Sequence, residues 1–388
     1  MSANKGPNTR LVHAGRKAPG AVADLVNPPV ERASTVLFER AEDLYARRPG
    51  QRYYGRLGTA SQAALRAAIA DLEGAEDVVL APSGLAACTL ALSALAQPGK
   101  HILVSDSVYG PTRNFCDNVL ARSGIMVEYF DPRAGAKLAA QCRDETCAIF
   151  LESPGSLTFE INDLPAIAEL AQARNIATAI DNTWGAGWFL KPLALGIDYT
   201  IQAATKYHTG HSDVLMGAVA ARTRDGAKII KTHAYLTGNA VSPDDAWLVL
   251  RGMRTMGVRL ERQQQSALKI AQWLSGRKEV ARVLHPALPE HPDHALWQRD
   301  FSGASGLFGV ILEPVSEEQV YAFLNALDLF GLGFSWGGYE SLAIHCDAQI
   351  KRTAQPWNAP GPLVRFSIGL EDADDLIADM EKGLGALG

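Results

Sequence analysis

The chain has 388 residues, 47% of them hydrophobic and 20% charged, with a formal net charge of −5. That length exceeds one simple core and predicts two or three packed subdomains. The charge speaks against nucleic acid and anionic membrane surfaces, and no run of eighteen apolar residues predicts a membrane span.

The N-terminus, Met1 to Arg10, is polar and lacks the apolar stretch of a secretory signal. The five cysteines, Cys88, Cys116, Cys142, Cys147 and Cys346, show no CxxC spacing. They predict neither a disulfide framework nor a zinc site, and they suit a reducing cytoplasm.

The first fifty-odd residues are irregular, with Pro28-Pro29 and a basic pair, Arg47-Arg48. They read as an extended arm. Thr59–Leu72 is rich in Ala, Leu and Gln and is followed by Gly74, which predicts a helix and its stop. An alternation then begins. Val78–Ala81, His101–Ser105, Met126–Phe130, Ala148–Glu152, Ile176–Ile180 and Tyr199–Ala203 read as strands. Leu85–Leu95, Pro111–Ser123 and Leu164–Arg174 read as helices between them. This pattern predicts an α/β fold, with a mostly parallel central sheet and helices on both faces. Near Asp244 the pattern changes. Asp245–Met256 and Arg259–Ser275 suit long helices. Strands over Leu307–Leu312 and Val364–Ile368 then mix with helices over Glu317–Ala326 and Ala373–Leu384. The expected division is an arm over 1–58, a large α/β domain over 59–250 and a smaller α+β domain over 251–388.

Ligands of such sheets sit beyond the carboxyl ends of the strands. Four places there carry candidate chemistry. Ser83-Gly84-Leu85 opens a helix after a strand, where free N–H groups and the helix dipole suit an anion; small residues packed in a turn are the alternative. Tyr109 follows a strand and could stack on a planar ligand or be an ordinary loop tyrosine. Asp181 ends a buried strand, where a carboxylate needs a cationic partner such as a protonated pyridine; a helix cap is the alternative. Lys206 follows the next strand among small and aromatic residues. Desolvation there would free a neutral amine to bond an aldehyde. Its alternatives are a surface lysine or a metal site on His208, His211 and Asp213, whose spacing matches no common zinc motif. Taken in this order the four supply the parts of a pyridoxal-phosphate (PLP) site.

Several stretches carry a resemblance: Tyr53-Tyr54-Gly55-Arg56, Glu152–Ser156, Asp181–Trp184, Ala204–Tyr207 with Gly210–Asp213, Ser335–Leu342 and Arg365–Asp372. On these, and over nearly its whole length, the chain resembles the Cys/Met-metabolism family of fold-type I PLP enzymes. The resemblance implies that Lys206 bonds the cofactor and later carries the proton. It implies that Tyr109 stacks on the ring, that Asp181 pairs with its nitrogen, and that Gly84, Leu85 and Thr205 hold its phosphate. Tyr54 and Arg56 would reach the phosphate of a neighbouring subunit, so a homo-oligomer is implied, a tetramer built from dimers. Arg365 would clamp the substrate carboxylate, with Ser335, Trp336, Asn182 and Ser153 close by. Trp336 looks like the β-lyases of the family, since γ-acting relatives carry a leucine-like residue there. The implied reaction is loss of a β-thiolate from a sulfur amino acid. With cystathionine this gives homocysteine, pyruvate and ammonia; cysteine, cystine and S-alkylcysteines are alternative substrates. His208 and Ala203 depart from the family pattern, which puts some phosphate and entrance contacts in doubt.

Overall fold

Seven short apolar segments pair into one sheet: β1 (Asp77–Ala81), β2 (His101–Ser105), β3 (Met126–Phe130), β4 (Thr146–Glu152), β5 (Ala177–Asp181), β6 (Tyr199–Gln202) and β7 (Gly217–Ala221). They are seen in a computed structural model that describes residues 5–16, 25–46, 48 and 51–387. Arg47 of the expected basic pair and residues 1–4 of the polar N-terminus lie outside the described residues.

The strand order is β1-β7-β6-β5-β4-β2-β3. Neighbours from β6 to β3 pair in parallel, while β7 runs antiparallel to both β1 and β6. All strands but β7 therefore point the same way. Side chains alternate between two cores, as a period of two requires. In β4, Ile149 and Leu151 face one cluster, and Ala148 and Phe150 face the other. Burial on both faces explains the continuous apolar runs. The helices Ala60–Glu73 and Leu164–Ala173 cover the first face through residues such as Leu65, Ile69 and Ile167. The helix Gly84–Leu95 covers the second through Ala87, Cys88 and Leu92.

Local sequence sets the helix ends. Thr59 and Gln62 form a reciprocal capping box, and Gly74 closes that helix with a left-handed φ of 71°. Asp163 and Ser242 cap the helices Leu164–Ala173 and Pro243–Met253. Three expectations change. The arm, read as irregular, carries short helices over Pro7–His13 and Ala41–Ala46. β7 was not foreseen because its sequence, Gly-Ala-Val-Ala-Ala, has weak strand propensity. Packing selects those small residues: a Cβ on Gly217 would lie 2.2 Å from the Ser83 carbonyl oxygen. The helix expected over Pro111–Ser123 instead breaks into an α-turn over Gly110–Phe115, a π-turn over Cys116–Leu120 and a 3₁₀ turn over Ala121–Ser123.

A second sheet is built from β8 (Val280–Leu284), β9 (Leu307–Leu312), β10 (Gly331–Leu332), β11 (Leu342–His345) and β12 (Leu363–Ser367), in the order β10-β11-β12-β9-β8. Its pairs are antiparallel except β10 with β11. Val364 and Phe366 turn into a third core with the helices Glu317–Asn325 and Ala373–Leu384. Leu363 turns the other way, into the first core. By the same parity Arg365 turns away from the third core. The helix Met256–Ser275 contributes Met256 and Leu260 to the first core and Ala267, Ile270 and Leu274 to the third. The break expected near residue 250 thus falls just before a helix that both cores share.

Among the described residues no helix is long and apolar enough to cross a membrane.

Candidate active site

Because β1 to β6 point one way, the turns that leave them meet along one sheet edge. A cavity of about 640 Å³ opens there. Gly84, Tyr109, Glu152, Asp181 and Lys206, from the exits of β1, β2, β4, β5 and β6, all line it, as does Arg365 from β12.

Lys206 is half-buried, and its ammonium donates to Ser335 Oγ at 2.9 Å. It also lies 5.2 Å from the centre of the Trp336 ring. Burial and then the nearby Arg365 charge lower its pKa to about 8, against the opposing pull of Asp181. Asp181 Oδ1 accepts from the Thr183 hydroxyl at 2.6 Å and the Thr183 N–H at 3.0 Å, and Cys88 Sγ approaches Oδ2 at 3.5 Å. Burial still raises its pKa. A cation brought against it would reverse that shift and hold it ionised.

The helix Gly84–Leu95 starts at the cavity wall, with Ser83 Oγ accepting from the Ala86 N–H at 3.0 Å. A Cβ on Gly84 would stand 2.4 Å from the Ala203 Cβ, so only glycine lets this turn approach the exit of β6. Gly84→Ala is therefore expected to cost about 1–3 kcal/mol of stability and to weaken cofactor binding. Thermal melts and cofactor titration test this; wild-type values in both would show that the contact is relieved at no cost.

Arg365 is 7% exposed. Its Nη2 donates to the carbonyls of Phe334 at 2.9 Å and Ser335 at 3.1 Å, while its buried Nε has no partner. Burial depresses its pKa, and no carboxylate among the described residues offsets this. A buried guanidinium that faces the cavity with no ion-pair partner among the described residues suits a carboxylate ligand.

The residues present fit PLP. The set comprises a helix start at the cavity wall, the buried Asp181 carboxylate, an amine with a lowered pKa and the Tyr109 ring.

Other expected residues are placed differently. Leu85 and Thr205 line the cavity, but the Thr205 hydroxyl already donates to the Met216 carbonyl at 3.2 Å and accepts from the Met216 N–H at 2.9 Å. Ser153 and Asn182 do not line it. Both are fully buried: Ser153 Oγ accepts from the Asn162 N–H at 3.1 Å, and the Asn182 amide donates to the Leu190 carbonyl at 3.2 Å. Each directly follows a cavity-lining carboxylate, and adjacent residues of an extended chain point to opposite sides. Tyr54 and Arg56 lie away from this cavity. Arg56 donates to the Tyr235 carbonyl at 3.2 Å and stacks 4.9 Å over the Tyr235 ring. His208 is buried beside Arg259 and Lys191, with its pKa lowered to about 3 by burial, whereas His211 and Asp213 are exposed. The three do not converge. Among the described residues no group of three or more His, Cys, Asp or Glu is placed to hold a metal ion.

Sequence reasoning assigned no role to Glu152 or Thr183. Glu152 pairs in register with Asp181 and accepts the Tyr109 N–H at 2.6 Å, which ties the aromatic ring to the site. Burial and the neighbouring Asp181 raise the Glu152 pKa well above the carboxylate range. The available signal was its position, the last residue of a buried strand beside another strand that ends in a carboxylate.

The model of the Cys/Met metabolism PLP-dependent enzyme family matches residues 8–385. Cystathionine β-lyase of Bordetella avium is 44% identical over 386 residues, covering 97% of each chain. Cystathionine β-lyase MetC of Escherichia coli is 40% identical over 397 residues, covering 99% of this chain and all of that protein. The solved cystathionine γ-lyase of Lactobacillus plantarum, complexed with L-serine, superposes with a TM-score of 0.90 at 30% identity, covering 99% of both chains.

Proposed function

Because the chain belongs to the Cys/Met metabolism family of PLP-dependent enzymes, we propose that it cleaves the β carbon–sulfur bond of cystathionine, releasing homocysteine, pyruvate and ammonia. The observation that carries this reading is one cavity holding a lysine of lowered pKa, a buried carboxylate and a buried arginine without an anion. The full-length relatives named cystathionine β-lyase, at 40% and 44% identity, favour β- over γ-chemistry.

When bound, PLP supplies an electron sink conjugated to the substrate α-carbon. Gly84 and Leu85 would cradle its phosphate with backbone N–H groups, Tyr109 would cover its ring, and Asp181 would keep its ring nitrogen protonated. Arg365 would bind the substrate α-carboxylate through its free donors and so orient the Cα–H bond toward Lys206. The neutral Lys206 amine would take the α-proton. The β C–S bond then breaks with its electron pair leaving on sulfur, and the thiolate takes up a proton. Hydrolysis of the released enamine gives pyruvate and ammonia. Ser335 accepts a hydrogen bond from Lys206 and so aims the amine between transfers.

Two further parts of the reading concern assembly and place. Tyr54 and Arg56 would serve the site of a neighbouring subunit in a tetramer built from dimers. Their distance from the chain's own cavity supports this, as do the exposed apolar arm residues Val26, Leu37 and Tyr45. The five free cysteines suit the reducing cytoplasm. The chain would divide into an arm over 1–58, a large domain over 59–250 and a smaller domain over 251–388, with the arm as the inter-subunit element.

Product analysis tests the reaction. Purified holoenzyme with cystathionine should yield pyruvate and homocysteine. Appearance of 2-oxobutyrate and cysteine instead would replace the reading with γ-elimination. Pyruvate from cystine or S-alkylcysteine, with none from cystathionine, would replace the substrate.

A further inference from the structure

The two oxygens of Asp181 are treated unequally. Oδ1 accepts twice from Thr183, whereas Oδ2 has one hydrogen-bonding contact among the described residues, Cys88 Sγ at 3.5 Å. Glu152 pairs in register with Asp181 but takes the Tyr109 N–H instead. Cys88 lies one turn into the helix Gly84–Leu95 and is fully buried, in the core that also holds Leu92, Val104, Phe150 and Ala179. Helix, strand and core all belong to one chain, so this contact is complete without a neighbouring subunit.

The direction of the hydrogen bond follows from the two groups. Burial and then the Asp181 charge push the Cys88 thiol well above its ordinary pKa range, so the sulfur keeps its hydrogen. An ionised carboxylate can only accept. The contact is therefore S–H donating to Oδ2. A buried thiol more often serves as a small apolar filler. Here its polar surroundings argue for more. The Thr112 hydroxyl, on the helix Gly110–Phe115, is also buried and has no hydrogen-bond partner at normal distance, yet it lies near enough to Cys88 to favour charge on the sulfur. Thr112 and Cys88 thus make a row of donors that ends on the Asp181 oxygen left free by Thr183.

We infer that Cys88 is a positioning residue for the cofactor: its S–H group holds Asp181 Oδ2 in the orientation that meets the pyridine nitrogen. Gly84 and Cys88 stand at i and i+4 on one face of their helix and both line the cavity. One helix would therefore approach the phosphate at its first turn and steer the counter-ion of the ring at its second. Donation from sulfur favours the ionised carboxylate, and an ionised Asp181 holds the proton on the ring nitrogen. The inference rests on the reading that Asp181 pairs with that nitrogen and adds how the carboxylate is aimed.

The S–H stretching bands of the holoenzyme test this without turnover. The Cys88 band should lie lowest of the five thiols, because its acceptor carries a charge, whereas Cys142 and Cys346 approach only backbone carbonyls, at 3.5 and 3.6 Å. Cys88→Val, close in volume, should delete the lowest band. Asp181→Ala should keep five bands and move the lowest one up. Cys88→Val should also raise the dissociation constant of PLP by about three- to tenfold, the effect of one modest hydrogen bond, with the melting temperature of the cofactor-free protein unchanged. Cys88→Ser keeps a donor and should hold that constant within about twofold of wild type. A packing role alone would lower the melting temperature of the valine variant and would not be rescued by serine. A lowest band that survives Cys88→Val, or a PLP constant within about 1.5-fold of wild type in that variant, overturns the inference. A lowest band that stays in place in Asp181→Ala overturns it too, even where the valine variant does not fold. Wild-type PLP affinity and an unchanged cofactor spectrum in Asp181→Ala would overturn the Asp181 pairing and the inference with it. Wild-type enzyme that releases no pyruvate from cystathionine would overturn the β-lyase reading alone, because the thiol bands decide the inference separately.

Discussion

Lys206→Ala is expected to lower pyruvate release by about 10⁴-fold, the upper range for losing a positioned proton-transfer group. It should also remove the covalent link to the cofactor, so that borohydride no longer fixes PLP to the protein. The physical reason is the state of one amine. With a pKa of about 8, roughly a tenth of it is neutral at pH 7; at the ordinary value of 10.5 the neutral share would be about one part in three thousand. The sign of the pH dependence follows. Burial and the Arg365 charge both disfavour the ammonium, so raising the pH through 8 frees the amine. Capture of PLP by the cofactor-free protein should then speed up with a midpoint near 8 and level off above it. A midpoint near 10.5 would refute a desolvated lysine. Lys206→Arg is the control for charge and volume: it cannot lose its proton and should be as inactive as Lys206→Ala. Near-normal turnover in either variant, with an unchanged melting temperature, would end the assignment.

Arg365→Ala should lower kcat/KM by about 10²–10³-fold, in keeping with about 3–4 kcal/mol for losing one partner of a charge pair in a closed site. Arg365 is held by two carbonyl acceptors and faces the cavity with donors to spare. The free protein therefore bears the cost of a desolvated guanidinium that an arriving carboxylate relieves. Arg365→Lys should recover only part of the loss, because a point charge cannot reproduce two parallel hydrogen bonds. A second effect separates this role from simple packing. Removing the Arg365 charge takes away one of the two causes that lower the Lys206 pKa. The midpoint for PLP capture should therefore move upward in Arg365→Ala. A loss of less than about tenfold in kcat/KM, with no shift of that midpoint, would remove Arg365 from the substrate site.

The two residues differ in how readily they are read from sequence. Lys206 follows a recognisable strand among small residues, so the chain alone places it at a sheet edge. Arg365 sits inside an apolar strand, and periodicity alone does not say which face of β12 meets the cavity. Only the packing of Val364 and Phe366 into the third core settles that Arg365 turns the other way.

The same division runs through the rest of the molecule. Local order determines much by itself: strand and helix alternation, the capping signals at Thr59 and Gly74, and the exits that carry Gly84, Tyr109, Asp181 and Lys206. These depend on residues a few positions apart, and a one-way sheet then gathers the exits along one edge. What depends on distant parts of the chain was not legible. β7 becomes a strand because it pairs with both β1 and β6, and Gly217 stands in it because the Ser83 turn passes close by. Ser153 and Asn182 turn inward because the neighbouring carboxylates occupy the cavity side. Glu152 gains its place through its register with Asp181. Strand register, side-chain facing and buried charge pairing all depend on which segments become neighbours, and that is a property of the folded chain rather than of any stretch within it.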